Sequence, residues 1–351
     1  MRSTCNFTAP FFLLFLIFSC TKAQKWDVVK SKIDSLAESK EPRTFSGVVY
    51  IEQNGKMVYS KAIGFSNFET QTPLSISSRF STMSIAKQIT ATLILLEVER
   101  GTIDLEKNIR YYLPDFNYDW ADKITIHQLL NHTSGLNSDS LEKPLKFEPG
   151  TSFSYSNIGF SVAGLILEKQ SGKSYEELVT ALFKRCKMKD SFYPTQAKNQ
   201  LIAKGHTITL EKNPILREQS KFLRENYFGS HLIVSAPDLA KWNTLLHNGK
   251  ILKSETYHKL IDYKVKNAHQ LFGESEIGYG YGLRVNDTDS IKEFGHTGFH
   301  PNEGFTAVNL YYPKSKTSIV ILENVANENF DIAYFYEQEV RKIVKNSTFL
   351  N

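Results

Sequence analysis

The sequence predicts an α+β fold, in which helices flank an antiparallel sheet built from both ends of the chain and a mostly helical segment is inserted between those ends. Three observations predict it: β-rich runs lie near both ends, helical periodicity dominates the middle, and no internal repeat or low-complexity tract interrupts the chain. The 351 residues are 41% hydrophobic and 23% charged, which is typical of a globular protein large enough for two packed units. This composition excludes a disordered, collagen-like or multi-span membrane protein.

The first 23 residues are typical of a secretory signal peptide. They contain Arg2, an apolar run over residues 11–18 and the small-x-small exit Thr21-Lys22-Ala23. The apolar run is too short to span a bilayer. We therefore expect residues 1–23 to be removed and the mature protein to be exported, either to the periplasm or into the medium.

The segment Ile17-Phe18-Ser19-Cys20 supports a second interpretation of the same region. It resembles a bacterial lipoprotein box with an unusual Phe18, and cleavage there would make Cys20 a lipidated N-terminus anchored to a membrane. No other membrane partner is predicted. The formal net charge of +5 is spread over interspersed lysines and acids, so no nucleic-acid partner is predicted either.

An amphipathic helix and a hairpin are the first predicted elements of the mature chain. Apolar residues recur at helical spacing over residues 26–39. Two β-rich runs, residues 45–53 and 56–65, flank Asn54-Gly55, which is the strongest short signal for a hairpin turn.

Helical patterns dominate the next stretch, and β-rich runs return near the C-terminus. The predicted helices span residues 85–100, 158–170, 175–184 and 237–247, and the predicted strands span residues 279–285, 294–297, 305–312 and 317–323, with a last helix at 330–345. This order indicates a sheet domain formed by residues 24–75 and 250–351. Residues 76–249 would form the mostly helical domain, with the active site at the junction.

Ser84 and Lys87 are the first candidate catalytic pair. Their spacing in Ser84-Ile85-Ala86-Lys87 places a hydroxyl and an amine on one face of a helix, and a hydroxyl becomes a useful nucleophile when a base lies beside it. The same spacing occurs at Ser140 and Lys143, but in a polar loop. Ser84 instead opens a long predicted helix, whose free N–H groups favour negative charge near the serine.

Two further motifs complete the candidate site. Tyr155-Ser156-Asn157 is the only Tyr-x-Asn in the chain and precedes a predicted helix. A phenol serves as a base near neutral pH only when cations lower its pKa, so Tyr155 matters if Lys87 is close. Gly295-His296-Thr297-Gly298 lies at the end of a predicted strand, where its glycines would allow a substrate to approach the backbone.

The order of these three motifs resembles the serine β-lactamase and penicillin-binding protein superfamily, in particular its class C-like branch of DD-peptidases, D-aminopeptidases and esterases. Segments such as Leu129–Leu136, Glu148–Gly150 and Gly278–Leu283 resemble habitual segments of that branch. The resemblance covers about residues 40–340 and implies a β-lactamase/transpeptidase-like fold.

The resemblance also implies a role for each site residue. Ser84 would attack a carbonyl and form an acyl-enzyme, while Lys87 and Tyr155 would share the work of taking its proton and passing it to the leaving group. The sequence leaves open which of the two is the general base. Asn157 would orient Lys87 or the substrate amide, and the backbone N–H groups of Ser84 and Phe299 would form the oxyanion hole.

His296 departs from the pattern of the superfamily, whose β-lactamases and DD-peptidases usually have lysine before Thr297-Gly298. A histidine with a pKa near about 6.5 is mostly neutral at pH 7, so it provides much less charge for binding a substrate carboxylate. We therefore expect a serine hydrolase that cleaves a small ester or amide, including one that contains a D-amino acid. The alternatives are a penicillin-binding DD-peptidase or β-lactamase, and a non-catalytic or single-turnover ligand-binding protein.

Two other enzyme classes have weaker support in the sequence. Residues 159–164 come near the nucleophile elbow of an α/β-hydrolase, but the motif is one residue too long and lies in a helical pattern. His296 and His300 are four residues apart, yet Gly298 and Pro301 argue against the helix that such a metal site requires. Neither a metal nor a cofactor is predicted, and the expected partner is a small ester, amide or peptide substrate.

Overall fold

The computed structural model describes residues 26–138, 140–197, 202–208, 214–217, 228–273, 275–287 and 290–350. The signal peptide and Cys20 predictions concern residues outside these ranges. Among the described helices, none is both long enough and apolar enough to cross a membrane.

Strands lie at both ends of the described chain, and most of the helices lie between them. The first half contains α1 (residues 26–38), β1 (Gly47–Gln53), β2 (Lys56–Ile63), β3 (Phe65–Asn67), β4 (Thr72–Pro73), β5 (Arg79–Ser81), α2 (Ala86–Arg100), α3 (Ile109–Tyr112), α4 (Ile126–Leu130), α5 (Asn157–Ser171) and α6 (Tyr175–Arg185). The second half contains β6 (His206–Ile208), β7 (Pro214–Leu216), β8 (Ile233–Ser235), α7 (Ala236–His247), α8 (Ser254–Ile261), β9 (Lys266–Asn267), β10 (Ile277–Tyr279), β11 (Arg284–Asn286), β12 (Glu293–His300), β13 (Phe305–Tyr312), β14 (Thr317–Glu323), β15 (Val325–Ala326), α9 (Phe330–Ala333) and α10 (Phe335–Lys345).

An antiparallel sheet of eight strands joins the two ends of the chain. Its order is β2-β1-β14-β13-β12-β11-β10-β9. The register pairs Gly47 with Glu323 and Gln53 with Thr317, so the N-terminal hairpin lies directly against the last long strand. The predicted turn at Asn54-Gly55 is present, with φ values of 52° and 74° that suit these two residue types. The α+β fold class is confirmed, whereas the domain boundaries stay a prediction.

Helices cover both faces of this sheet. On one face, α1 and α10 contribute Trp26, Ile33, Val340 and Val344 to a buried cluster. On the other face lies the larger core, which includes side chains from α2, α5, α6 and α7. Helix α2 is buried on nearly all sides, and its buried residues include Lys87.

The predicted strand over residues 279–285 is wrong, because this segment is a hairpin of β10 and β11. The turn between them depends on Gly282, whose φ of +68° disfavours other residues, and the backbone N–H of Gly280 donates to the Leu283 carbonyl at 2.9 Å. The last predicted helix is also divided, since α9 ends at Ala333 and α10 begins at Phe335. Tyr334 lies at this break, and its side chain contacts Gly298 of the Gly295-His296-Thr297-Gly298 motif.

A buried ionic cluster ties the two chain ends together. The Arg43 guanidinium donates to both oxygens of Glu323, each at 2.7 Å, and Nη2 lies 3.8 Å from Glu337 Oε2. All three side chains are at most 1% exposed. Burial and the neighbouring Glu323 carboxylate raise the pKa of Glu337 well above its ordinary value, so we assign the negative charge to Glu323 and a proton to Glu337.

This assignment predicts unequal effects for two similar substitutions. Glu337→Gln resembles the protonated carboxyl and should change the free energy of unfolding by less than about 1 kcal/mol. Glu323→Gln leaves Arg43 without its bidentate partner in the core and should lower that free energy by about 3–5 kcal/mol. Urea unfolding at pH 7 measures both. Equal losses in the two variants would show that Glu337 is ionised.

Candidate active site

Ser84 lies in a tight turn at the start of α2. Residues Met83–Ile85 form a 3₁₀ turn, and the φ of 48° at Met83 places that residue in the left-handed region. Strand β12 passes close beside this turn, since a Cβ atom added to Gly298 would lie only 2.4 Å from the Thr82 carbonyl oxygen. Gly298, the second glycine of the Gly295-His296-Thr297-Gly298 motif, therefore allows the strand to contact the Ser84 turn.

The Lys87 amine contacts side chains from the first two predicted motifs. Its Nζ is 3.2 Å from Ser84 Oγ, 2.8 Å from Asn157 Oδ1 and 3.3 Å from the Gly229 carbonyl oxygen. The Lys87 residue is 1% exposed, and none of its described ion pairs or hydrogen bonds involves a carboxylate. The Asn157 and Gly229 oxygens thus fix the amine beside the Ser84 hydroxyl.

The ring of Tyr155 faces the same amine. Lys87 Nζ lies 5.0 Å from the centre of the Tyr155 ring. The Tyr155 hydroxyl is buried and has no hydrogen-bond partner among the described residues. Helix α5 begins at Asn157, and the Ser156 side chain caps it by accepting from the Gly159 N–H at 3.1 Å. The cap places Tyr155 just outside the helix and Asn157 in its first turn.

His132 packs behind Tyr155, a role that the sequence did not predict. The two ring centres are 4.2 Å apart, and His132 Nδ1 accepts a hydrogen bond from the Ser156 N–H at 3.2 Å. Burial, followed by the charge of Lys87, lowers the pKa of His132 well below its ordinary value. The imidazole is therefore neutral. Only its place in the segment Leu129–Leu136 could have indicated it.

His296 is held by hydrogen bonds on both ring nitrogens. Nδ1 lies 2.6 Å from the Thr297 carbonyl oxygen, and Nε2 lies 2.9 Å from the Tyr279 hydroxyl. Because a carbonyl oxygen only accepts, we assign the proton to Nδ1, and Tyr279 then donates to Nε2. Burial, followed by the charges of Arg284 and Lys87, lowers the pKa of His296 well below its ordinary value. The imidazole therefore brings no positive charge to the site.

Thr297, Gly298 and the following residue, Phe299, each contact neighbouring side chains. Thr297 Oγ1 lies 3.1 Å from His269 Nε2, and the Tyr334 hydroxyl donates to the Gly298 carbonyl oxygen at 2.9 Å. The ring of Phe299 packs against Phe330 and Tyr334, with ring centres 5.5 and 5.8 Å apart. The expected role of the Phe299 N–H in an oxyanion hole stays a prediction.

Arg284 is a buried cation beside these residues. Its guanidinium lies 5.4 Å from the centre of the Tyr279 ring, and Nη1 donates to Asn267 Oδ1 at 2.8 Å. The residue is 5% exposed, and its Nε has no hydrogen-bond partner among the residues that the structure describes. No ion pair joins it to a carboxylate in the part of the chain that the structure describes. No sequence pattern indicated it, because a lone arginine in a strand is unremarkable.

The competing interpretations do not match the described geometry. Residues 159–164 lie inside α5, where a Cβ added to Gly164 would lie 2.1 Å from a Phe228 side-chain atom, so helix packing accounts for that glycine. His296 and His300 lie on strand β12 and not on a helix. Within the described ranges, no group of three or more histidine, cysteine or acidic side chains could hold a metal ion.

The fold is of the β-lactamase/transpeptidase-like class. A family model described as Beta-lactamase matches residues 31–340. The chain therefore belongs to the β-lactamase family, as the order of its motifs indicated.

The names of known proteins that are similar to this chain indicate different activities. Penicillin-binding protein 4* of Bacillus subtilis strain 168 is 24% identical over 347 residues, covering 88% of this chain and 73% of the relative. The solved D-amino acid amidase of Ochrobactrum anthropi SV3, complexed with L-phenylalanine amide, is 21% identical with a TM-score of 0.75, covering 91% and 99% of the two chains. The solved EstCE1, described as a hydrolase with promiscuous acyltransferase activity, is 21% identical with a TM-score of 0.74, covering 93% and 99%. These two structural likenesses show the fold.

Proposed function

We propose that this protein is an exported hydrolase that forms an acyl-enzyme on Ser84 and cleaves a small ester or amide. One observation carries the proposal: Lys87 Nζ lies 3.2 Å from Ser84 Oγ, within a buried set of contacts that also includes Asn157. Export rests on the sequence of residues 1–23 alone. A lipid anchor at Cys20 is the alternative form of the same proposal.

The contacts of Lys87 support a general-base role for its amine. As an ammonium, Lys87 donates to all three oxygens; as the neutral amine that acts as the base, it keeps two N–H donors for Asn157 and Gly229 while its lone pair faces the Ser84 proton. In our scheme, Lys87 takes that proton while Ser84 Oγ attacks the substrate carbonyl. A positioned base of this kind typically contributes about 10²–10⁴-fold in rate.

Tyr155 is suited to the second proton transfer. Its buried hydroxyl makes no hydrogen bond to a described residue, so none of those residues uses its capacity to donate a proton. In our scheme, the hydroxyl protonates the leaving alcohol or amine as the carbonyl–heteroatom bond breaks, and Lys87 returns the proton to the phenol. Water then attacks the acyl-enzyme, and Ser84 regains its hydrogen. The backbone N–H groups of Ser84 and Phe299 would stabilise the oxyanion in both steps.

The neutral state of His296 favours a small ester or amide as the substrate. A neutral imidazole whose two nitrogens already bond to Tyr279 and Thr297 offers no cation to a substrate carboxylate. The similarity to an amidase and to a hydrolase with acyltransferase activity supports the same choice.

A fluorophosphonate probe tests the proposal directly. Intact mass measured over time should show one adduct, peptide mapping should locate it on Ser84, and short-chain p-nitrophenyl esters should be turned over. The absence of an adduct would favour a binding protein. An adduct without ester turnover would favour a single-turnover acylation.

Arg284 favours a second candidate function, that of a DD-peptidase whose substrate carries a carboxylate. A buried guanidinium without a carboxylate partner in the described chain is a suitable counter-ion for such a group. In that case Arg284→Met should reduce kcat/KM for a D-alanyl-D-alanine peptide at least tenfold relative to kcat/KM for p-nitrophenyl acetate. Arg100→Met, at a side chain that is 62% exposed, is the control. An unchanged ratio would exclude this function for Arg284.

A further inference from the structure

Glu303 is an acidic side chain near the site that the proposed mechanism does not use. It ends the short turn Pro301–Glu303, which follows strand β12 directly. The side chain is only 12% exposed, and Oε2 has no hydrogen-bond partner among the described residues. His231 Nδ1 lies 3.3 Å from Oε2, and His300 Nε2 lies 3.8 Å from Oε1.

Neither histidine supplies a positive charge to this carboxylate. Burial, followed by the charges of His300 and Lys87, lowers the pKa of His231 to about 3, and burial also lowers the pKa of His300. No lysine or arginine of the described chain forms an ion pair with Glu303. Burial raises the pKa of Glu303 to about 7. A carboxylate buried in this way gains stability from any cation that enters beside it.

His231 connects this carboxylate to the catalytic residues. It lies two residues after Gly229, whose carbonyl accepts from Lys87, and its Nδ1 lies 3.4 Å from Ser81 Oγ. The backbone at His231 has a φ of 61°, in the left-handed region that a residue with a side chain adopts at an energetic cost. Such strain is concentrated at functional sites in proteins, and here the imidazole Nδ1 lies within 3.4 Å of both Glu303 Oε2 and Ser81 Oγ.

The Arg284 cation and the Glu303 carboxylate have different histidine neighbours. The Arg284 cation lowers the pKa of His132, His269 and His296, whereas no such effect reaches His231. The charge of Lys87 acts on His231 as well as on His132 and His296. The Arg284 guanidinium thus favours an anion beside it, whereas the Glu303 carboxylate, next to His231, favours a cation.

We propose that Glu303 receives a primary ammonium group of the substrate, so that the enzyme prefers acyl groups carrying a free amine. The substrate class is then an amino acid amide or ester, or a short peptide cleaved beside a residue with a free amine. The ammonium belongs either to the α-carbon of the acyl group or to its side chain, and these two sources share the same chemistry. This inference rests on the proposed acyl-enzyme function.

Boronic acids test the proposal, because they form a reversible tetrahedral adduct with a nucleophilic serine and need no turnover of their own. Three compounds are compared as inhibitors of p-nitrophenyl acetate hydrolysis. One is 1-aminoethylboronic acid, with an α-ammonium. The second is its N-acetyl derivative, which is neutral, and the third is the Nα-acetyl boronic analogue of lysine, with a side-chain ammonium. The readout is the ratio of inhibition constants within each protein, which does not depend on that protein's rate on the ester.

We expect the wild type to bind one of the two ammonium compounds at least tenfold more tightly than the neutral one, and that compound identifies the source. Glu303→Gln should bring this ratio close to one, while Glu328→Gln, at an exposed glutamate, should leave it unchanged. Thermal melting checks that both variants fold. Equal or tighter inhibition by the neutral compound in the wild type, or a ratio that survives Glu303→Gln, would overturn the inference. Failure of the proposed function would appear separately, as ester hydrolysis that persists in Ser84→Ala.

Discussion

Ser84→Ala is expected to reduce kcat/KM for p-nitrophenyl acetate by about 10⁴-fold or more, because the substitution removes the only atom that can carry the acyl group in our scheme. The alanine side chain fits the space of the serine, so the free energy of unfolding should change by less than about 1 kcal/mol. Initial rates at several ester concentrations give the first quantity, and urea unfolding gives the second.

Ser140→Ala is the matched control for this experiment. Ser140 has the same three-residue spacing to a lysine, but its Oγ accepts a hydrogen bond from the Glu142 N–H in a loop. Its substitution should leave the ester kinetics unchanged. If Ser84→Ala retained wild-type activity, the assignment of the nucleophile would be wrong.

Tyr155→Phe should separate activity from stability. The hydroxyl has no hydrogen-bond partner among the described residues, so its removal should change the free energy of unfolding by less than about 1 kcal/mol. The same change removes the group that protonates the leaving atom in our scheme, and kcat should fall by about 10²–10⁴-fold. The loss should be greater for a poor leaving group such as an alkoxide than for p-nitrophenolate, which needs little protonation.

Tyr111→Phe provides the comparison for this variant, since Tyr111 is 65% exposed and lies in the short helix α3. It should behave as the wild type in both assays. A Tyr155→Phe enzyme with unchanged kcat on alkyl esters would show that the phenol moves no proton. An activity loss accompanied by an equally large loss of stability would indicate a structural role instead.

The pairing of Ser84 with Lys87 could be predicted from sequence because it depends on local geometry. Two residues separated by three positions at the start of a helix share a face whatever the rest of the chain does. Asn157 and Tyr155 required the family pattern as well, since no local rule brings α5 to the start of α2. The structure places the Asn157 oxygen 2.8 Å from Lys87 Nζ.

Other contacts of the site had no signal that a sequence could provide. The Gly229 carbonyl that accepts from Lys87 belongs to the backbone, and every residue has such a group. Tyr279 reaches His296 because the segment predicted as one strand turns at Gly282, which brings β10 beside β11. Arg284 and Glu303 were missed for a different reason: the lack of a partner for a buried charge becomes visible only when its surroundings are known.

The position of β14 in the sheet has a consequence for biosynthesis. The last two strands of this sheet to be synthesised, β13 and β14, lie in its middle, between the N-terminal hairpin and β12. While the ribosome is still adding residues, β1 has an open edge with no partner until Thr317–Glu323 emerge. Assembly of this sheet must therefore wait until Thr317–Glu323 have been made, and its many non-local pairings favour slow folding. During that interval the exposed hairpin is the segment most in need of a chaperone.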